Sequence, residues 1–185
     1  MICGKRLQLE ADNNVARVGR TCSSHKLSPG IELGRGIGNE VDVMVRVFIA
    51  GPIQGVEDRQ EYRAVIRRIL EAKGYEVVDP WEREKVIYRA SGGEWWKNVP
   101  PRDFIERDLR DVERCDVLIA YLPRLSAGAC MELFYAKLKG KKVVSVIEFE
   151  DPSPWITLHS DVVLRSLEEL KRYVEEGRLE KLLRS

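Results

Sequence analysis

Short β-branched runs alternate along this chain with longer stretches in which apolar residues keep a helical spacing. Val45 to Ala50 (Val-Arg-Val-Phe-Ile-Ala) reads as a first strand that stops at Gly51-Pro52. A helix follows from about Glu57 to Lys73, with Tyr62, Val65, Ile66, Ile69 and Leu70 on one face and Gly74 as its stop. Tyr75 to Val78 is a second strand, closed by Asp79-Pro80. Pro101 and Asp103 open a helix to about Arg114, with Phe104, Ile105, Leu109 and Val112 inward. Val117 to Tyr121 is a third strand, Lys142 to Ile147 a fourth and Asp161 to Leu164 a short fifth. Closing helices run from about Ser166 to Glu176 and from Leu179 onward.

Two stretches break the pattern. Residues 81–101 read as irregular, with Trp81, Trp95, Trp96, Gly92-Gly93 and Pro100-Pro101. A connection of that length in a compact domain usually serves a function or lacks order, and its tryptophans either stack on a ligand or simply pack. Residues 1–43 carry Gly, Ser, Asn and Arg without either period, and Met44 stands just before the first strand. The expectation is an N-terminal extension over 1–43, as a flexible arm or an upstream misassigned start, and one α/β domain over 44–185. Gly34-Arg35-Gly36-Ile37-Gly38 resembles a phosphate loop but follows no strand, so it is discounted.

Strand and helix alternation, with connections long enough for parallel crossovers, predicts an open five-stranded parallel sheet in the order 2-1-3-4-5, with helices on both faces, a Rossmann- or flavodoxin-like architecture. Its winding reverses between strands one and three. Ligands bind at the carboxyl ends of the strands beside such a reversal. The loops there run from Gly51 to Val56 and from Pro123 to Gly128, both rich in small residues.

The second loop leads into the most telling helix, Ser-Ala-Gly-Ala-Cys-Met-Glu-Leu-Phe-Tyr-Ala from Ser126 to Ala136. Glu132 is the one carboxylate in this apolar company, where burial is costly unless the charge is used. The bland alternative is a solvent-facing glutamate favoured by the helix dipole. Asp108 lies beside the apolar face of its own helix, as either half of a buried ion pair or a site acid. Ser126, Gly128 and the amides at the helix start suit a phosphate or a sugar hydroxyl.

Composition narrows the field. Lys and Arg number 31 against 30 Asp and Glu, which argues against a dedicated nucleic-acid partner. No apolar run approaches a membrane span and no signal-peptide pattern opens the chain. Cys3, Cys22, Cys115 and Cys130 have no Cys-x-x-Cys spacing, and His25 and His159 are too scattered for zinc. The expectation is a reduced, cytoplasmic protein with no metal and no cofactor. With no Ser/His/Asp set and no Walker loop, a carboxylate nucleophile forming a glycosyl ester fits the available groups best.

These residues resemble the nucleoside 2-deoxyribosyltransferase family, in particular its 2'-deoxynucleoside 5'-monophosphate N-hydrolase branch. The resemblance rests on Val-Phe-Ile-Ala-Gly-Pro-Ile-Gln-Gly at 47–55, Glu-Asp-Arg at 57–59, Phe-Ile-Glu-Arg-Asp-Leu at 104–109, Cys-Asp-Val-Leu-Ile-Ala at 115–120 and the Ser126 to Lys141 block. It covers about residues 45–165. It implies that Glu132 attacks C1' of the sugar, that Asp108 is the acid near the sugar and leaving base, and that Gly51, Pro52, Ile53, Gln54 and Gly55 form the loop under the sugar-phosphate, with Arg59 nearby. It implies a small nucleoside or nucleotide substrate.

Ser126 falls where the transferases tend to carry an aspartate for the free 5'-hydroxyl and the hydrolases a serine. That tilts the implied substrate toward a monophosphate and the acceptor toward water. Arg124 would add charge to the same oxygens or simply face solvent. Two positions depart from the pattern: Phe48 replaces a tyrosine that steadies the nucleophile, and Gln54 replaces an arginine. Transfer of deoxyribose between bases and a silent nucleotide-binding domain therefore stay open. The resemblance also implies at least a homodimer, with Trp155 to Ser160, and among them Ser153, His159 and Ser160 as neighbours or members of that stretch, reaching a partner's site.

Overall fold

The computed structural model describes residues 44–91 and 94–185. The expected extension over 1–43 and the pair Gly92-Gly93 lie outside the described residues. Five strands, β1 (Arg46–Ala50), β2 (Glu76–Val78), β3 (Val117–Leu122), β4 (Lys142–Ile147) and β5 (Val162–Leu164), form one sheet. It is parallel throughout, in the order β2-β1-β3-β4-β5. The helices are α1 (Glu61–Glu71), α2 (Trp81–Ser91), α3 (Pro101–Glu113), α4 (Ala127–Leu138), α5 (Pro154–Leu158), α6 (Leu167–Glu175) and α7 (Arg178–Leu183).

The period-2 alternation of the strands divides the core in two. Val47, Ile49, Val117, Ile119, Val144 and Val146 face α1, α6 and α7, where Ile66, Leu70, Leu170 and Leu179 are buried. Phe48, Ala50, Leu118, Ala120, Leu122 and Val143 face the opposite side, against Val112 of α3, Ala129, Leu133 and Ala136 of α4 and Ile156 of α5. Central strands buried on both faces explain why β3 is apolar at every position.

Three expectations need correction. Residues 81–91, read as irregular, form α2. Its residues are good helix formers, but its charged positions run round the axis and mask any apolar stripe. Ile105, placed in the core by its spacing, is exposed: the apolar side of α3 meets a cavity there. The α1 helix begins at Glu61 rather than near residue 57, because Gln60 turns back to bond the carbonyls of Pro52 (3.0 Å) and Val56 (2.7 Å).

Candidate active site

A cavity of about 670 Å³ opens at the carboxyl ends of β1 and β3, where the winding reverses. That volume suits a nucleotide-sized molecule. One wall is the loop after β1, with Gly51, Ile53 and Gln54; another is the loop after β3 and the start of α4, from Arg124 to Ala129. Arg124 fastens the two loops by donating to the carbonyl of Gln54 (3.2 Å). The far side carries Trp95, Trp96, Phe104 and Ile105. Trp95 is held in place by a hydrogen bond from its indole to Glu57 (3.2 Å) and by edge contact with Phe104.

Gly51 permits the close approach that shapes the first wall. A Cβ there would stand 2.4 Å from the Tyr62 hydroxyl and 3.2 Å from the carbonyl of Tyr121, which backbone packing forbids. Gly55 has φ of +76°, the left-handed turn that returns the loop toward α1.

The α4 helix presents its amides to the cavity. Ser126 is its N-cap in extended backbone, yet its side chain accepts no capping hydrogen bond. No capping bond therefore joins the Ser126 hydroxyl to the first amides of α4. Glu132, a turn and a half further on, lines the same cavity. No described side chain bonds or ion-pairs its carboxylate. As a residue it keeps partial exposure because the cavity is open, but protein surrounds the carboxyl closely enough that burial dominates its proton affinity. Burial, then the charge of Asp108, push Glu132 up to about 8, against the pull of Arg63.

Asp108 of α3 lines the cavity too, and it is also half of an ion pair. Arg83 donates to its Oδ1 (3.1 Å), and Arg107 Nε lies 3.5 Å from the same oxygen. Burial raises its proton affinity although both arginines lower it.

The structure therefore brings Gly51, Ile53, Gln54, Asp108, Arg124, Ser126, Gly128 and Glu132 together around one space. Pro52, Gly55, Arg59 and Ser160 do not line it. Pro52 is buried and its carbonyl accepts from Tyr62 (3.3 Å) and Gln60. Arg59 is exposed. Ser160 spends its hydroxyl on the Ile156 carbonyl (2.7 Å) and on Ser145 (2.7 Å), tying α5 to β4. His159 stacks on Trp155 and meets Phe134 of the cavity wall edge-on. Phe48 is fully buried in the core beneath α4. One lining acid escaped the sequence reading: Glu84 of α2, which only a helix assignment for residues 81–91 would have turned inward.

A family model of nucleoside 2-deoxyribosyltransferases matches residues 47–174, most of the described fold. The chain belongs to the nucleoside 2-deoxyribosyltransferase family. This makes it an enzyme of the glycosidase and glycosyltransferase kind. A Thermofilum pendens protein, an inferred 2'-deoxynucleoside 5'-phosphate N-hydrolase, is 29% identical over 102 residues, which cover 55% of this chain and 67% of that one. The 2-deoxyribosyltransferase of Bacillus psychrosaccharolyticus shares the fold at a TM-score of 0.55 and 17% identity, over 70% of this chain and 92% of its own. A CMP N-glycosidase from Clostridium botulinum aligns at a TM-score of 0.46 and 22% identity, over 70% of this chain and 98% of its own, too loosely to add to the argument. Within the deoxyribosyltransferase-family fold, the cavity lies where parallel sheets of this order hold their ligands. No helix among the described residues is long and apolar enough to cross a membrane.

Proposed function

We propose that this enzyme cleaves the N-glycosidic bond of a 2'-deoxynucleoside 5'-monophosphate, with Glu132 as nucleophile and water as acceptor. The observation that carries the reading is an unpartnered carboxylate, Glu132, in the same cavity as an unspent N-cap serine and free helix amides. The phosphate sits against Ser126, Gly128 and the start of α4, with Arg124 at the rim. A serine there accepts a dianion that an aspartate would repel. The sugar lies over Gly51 to Gln54, and the base stacks among Trp95, Trp96 and Phe104. Asp108, fixed by Arg83 and Arg107, stands near the sugar and the leaving base.

In the first step a Glu132 oxygen bonds C1' as the bond to the base breaks; in the second, water releases the sugar phosphate and restores the carboxylate. Positive charge developing at the anomeric centre favours ionised Glu132, so its raised proton affinity in the empty site falls as the reaction proceeds. A second base in place of water would turn the same ester toward transfer, the reaction for which the family is named.

The enzyme works as a homodimer in this reading. Met131, Phe134 and Leu138 of α4 and Trp155 and Leu158 of α5 leave a contiguous apolar face, with Trp155 71% and Leu158 78% exposed. Such a face calls for a partner, and Met131 and Phe134 also border the cavity.

The test is a panel of deoxy- and ribonucleoside monophosphates assayed for free base, with and without an added second base. The parent releases base from deoxynucleotides, and Glu132→Gln lowers that release by about 10³-fold or more. Equal turnover by Glu132→Gln would overturn the covalent reading; base exchange without net hydrolysis would move the enzyme to the transferases.

A further inference from the structure

Three acids from three helices line one cavity: Glu84 of α2, Asp108 of α3 and Glu132 of α4. The arginines beside them are Arg83 and Arg107, and Arg83 also serves Asp111 at 2.6 Å. Of the other nearby cations, Arg63 is committed to Asp79, and Arg124, on the loop after β3, donates to the Gln54 carbonyl and pairs with none of the three acids. Among the described residues the carboxylates around this space outnumber the guanidinium groups available to them, so full ionisation would leave uncompensated negative charge beside an apolar surface. Protons settle on the acids least well paired.

Asp108 touches both arginines. Glu84 touches one: its Oε1 accepts from Arg107. Its Oε2 has no partner among the described residues, although the residue is only 1% exposed. A buried carboxyl with one oxygen anchored and the other unpaired at a cavity wall is costly as an anion. It is better placed as an O–H donor to an occupant of that cavity.

We propose that Glu84 holds a proton on Oε2 and is the acid that delivers it to the departing nucleobase, while Asp108 stays ionised and orients the sugar. The inference rests on the N-glycosidase reading of the cavity. As a Glu132 oxygen bonds C1', the bond from C1' to the base nitrogen breaks and its electron pair goes to the base. The Glu84 proton passes to that base, which leaves neutral. Glu84 remains as a carboxylate against Arg107. Water then bonds C1', the ester bond breaks with its pair returning to Glu132, and the proton lost by water restores Glu84. The overall change is hydrolysis, with both acids back where they began.

The surroundings of Glu84 agree. The charged groups that act on it are Arg107 and Asp108 from α3 and Arg83 from its own helix, and Glu132 of α4 feels its charge across the cavity. Burial, then Asp108, push Glu84 up to about 7 against the pull of the two arginines. Glu84 and Glu132 are thus both held toward the protonated form, chiefly by burial. Substrate that favours ionised Glu132 leaves Glu84 the protonated acid.

The experiment compares the parent, Glu84→Gln and Glu132→Gln in pH profiles of kcat/KM, using the common deoxynucleoside monophosphates. Glutamine keeps the Arg107 contact but has no acidic proton. The expected result is a parent rate that falls above neutrality. Glu84→Gln should lie about 100-fold below it at pH 6, show no such limb, and approach the parent near pH 9. Glu132→Gln falls at every pH. A Glu84→Gln profile parallel to the parent's, or coincident with it, overturns the proposal while leaving Glu132 as nucleophile. If the parent cleaves none of these nucleotides the functional reading fails, and carboxyl-carbon NMR of the labelled protein still decides the proton. A Glu84 resonance titrating near neutrality supports the proposal, and one already ionised at pH 6 overturns it.

Discussion

Two buried arrangements of arginine and carboxylate differ in how fully they are satisfied. Behind the β1 loop, Arg63 of α1 donates to Asp79 (2.6 Å), to Gln60 Oε1 (2.7 Å) and to the carbonyls of Gly51 (3.0 Å) and Ile49 (3.3 Å). Asp79 in turn accepts from the amide of Trp81 (3.1 Å), and Arg67 approaches its second oxygen at 3.5 Å. Each Asp79 oxygen thus faces a guanidinium, and Arg63 is bonded through Nε and both terminal nitrogens. In the other arrangement Glu84, Asp108 and Asp111 share Arg83 and Arg107, and Glu84 Oε2, Asp111 Oδ2 and the Nε of both arginines are left without a hydrogen bond. The first arrangement holds the glycine loop to the sheet. The second keeps unspent acid at a cavity wall, where it is useful only if something enters.

Removing one partner separates the two. Asp79→Asn leaves the Arg63 charge buried and poorly paired, and should lower the unfolding free energy by about 3–5 kcal/mol. Glu84→Gln should change it by less than about 1 kcal/mol, because a protonated Glu84 and a glutamine are both neutral and both keep the Arg107 contact. Urea unfolding of the two variants measures both. Equal losses would erase the distinction between scaffold and chemistry.

A smaller effect is expected from Ser126→Asp, which puts a new charge on the opposite rim of the cavity. Affinity for a deoxynucleoside monophosphate should fall about 10- to 100-fold, or roughly 1–3 kcal/mol, while the unphosphorylated nucleoside binds as well or better. Titration calorimetry with the two ligands reads the difference. Equal loss for both would place the phosphate elsewhere.

A further effect is a pH dependence of stability. Burial lifts Glu132 from an ordinary 4.5 to about 8, so the folded state binds that proton more tightly than the unfolded chain does. Its contribution is full below about pH 4.5 and is lost as pH rises through about 8. Glu132→Gln never ionises. Its advantage over the parent should therefore grow steadily from pH 5 to pH 9, read as a widening difference in Tm. A constant difference across that range would mean the carboxyl is well solvated.

The legible parts of the molecule were those where one pattern serves one purpose. Strands such as β3, buried on both faces, appear as unbroken apolar runs, and the strand order follows from the crossovers. Glu132 and Ser126 stood out because a carboxylate among apolar neighbours and a serine before a helix are locally anomalous. The second acidic arrangement was hidden for the converse reason. Within Trp-Glu-Arg-Glu-Lys at 81–85, Glu84 looks like any solvated charge, and only its burial against Arg107 of α3 sets it apart. Ile105 misled in a related way: helical spacing marks a face turned from solvent and cannot tell a core from a cavity. Arg59 and Ser160 were carried by resemblance alone, and within one chain they serve the surface and the α5 anchor.

Glu132 as the atom donor to C1' is the claim on which the chemistry rests. Its most direct test is peptide mapping of the protein after incubation with a 2-fluoro-arabinosyl nucleoside monophosphate, whose fluorine slows release of a glycosyl ester. The expected result is a sugar-phosphate adduct on the peptide carrying Glu132, at Glu132 itself. Release of base with that peptide unmodified, or an adduct on Asp108 or Glu84 instead, would contradict the account.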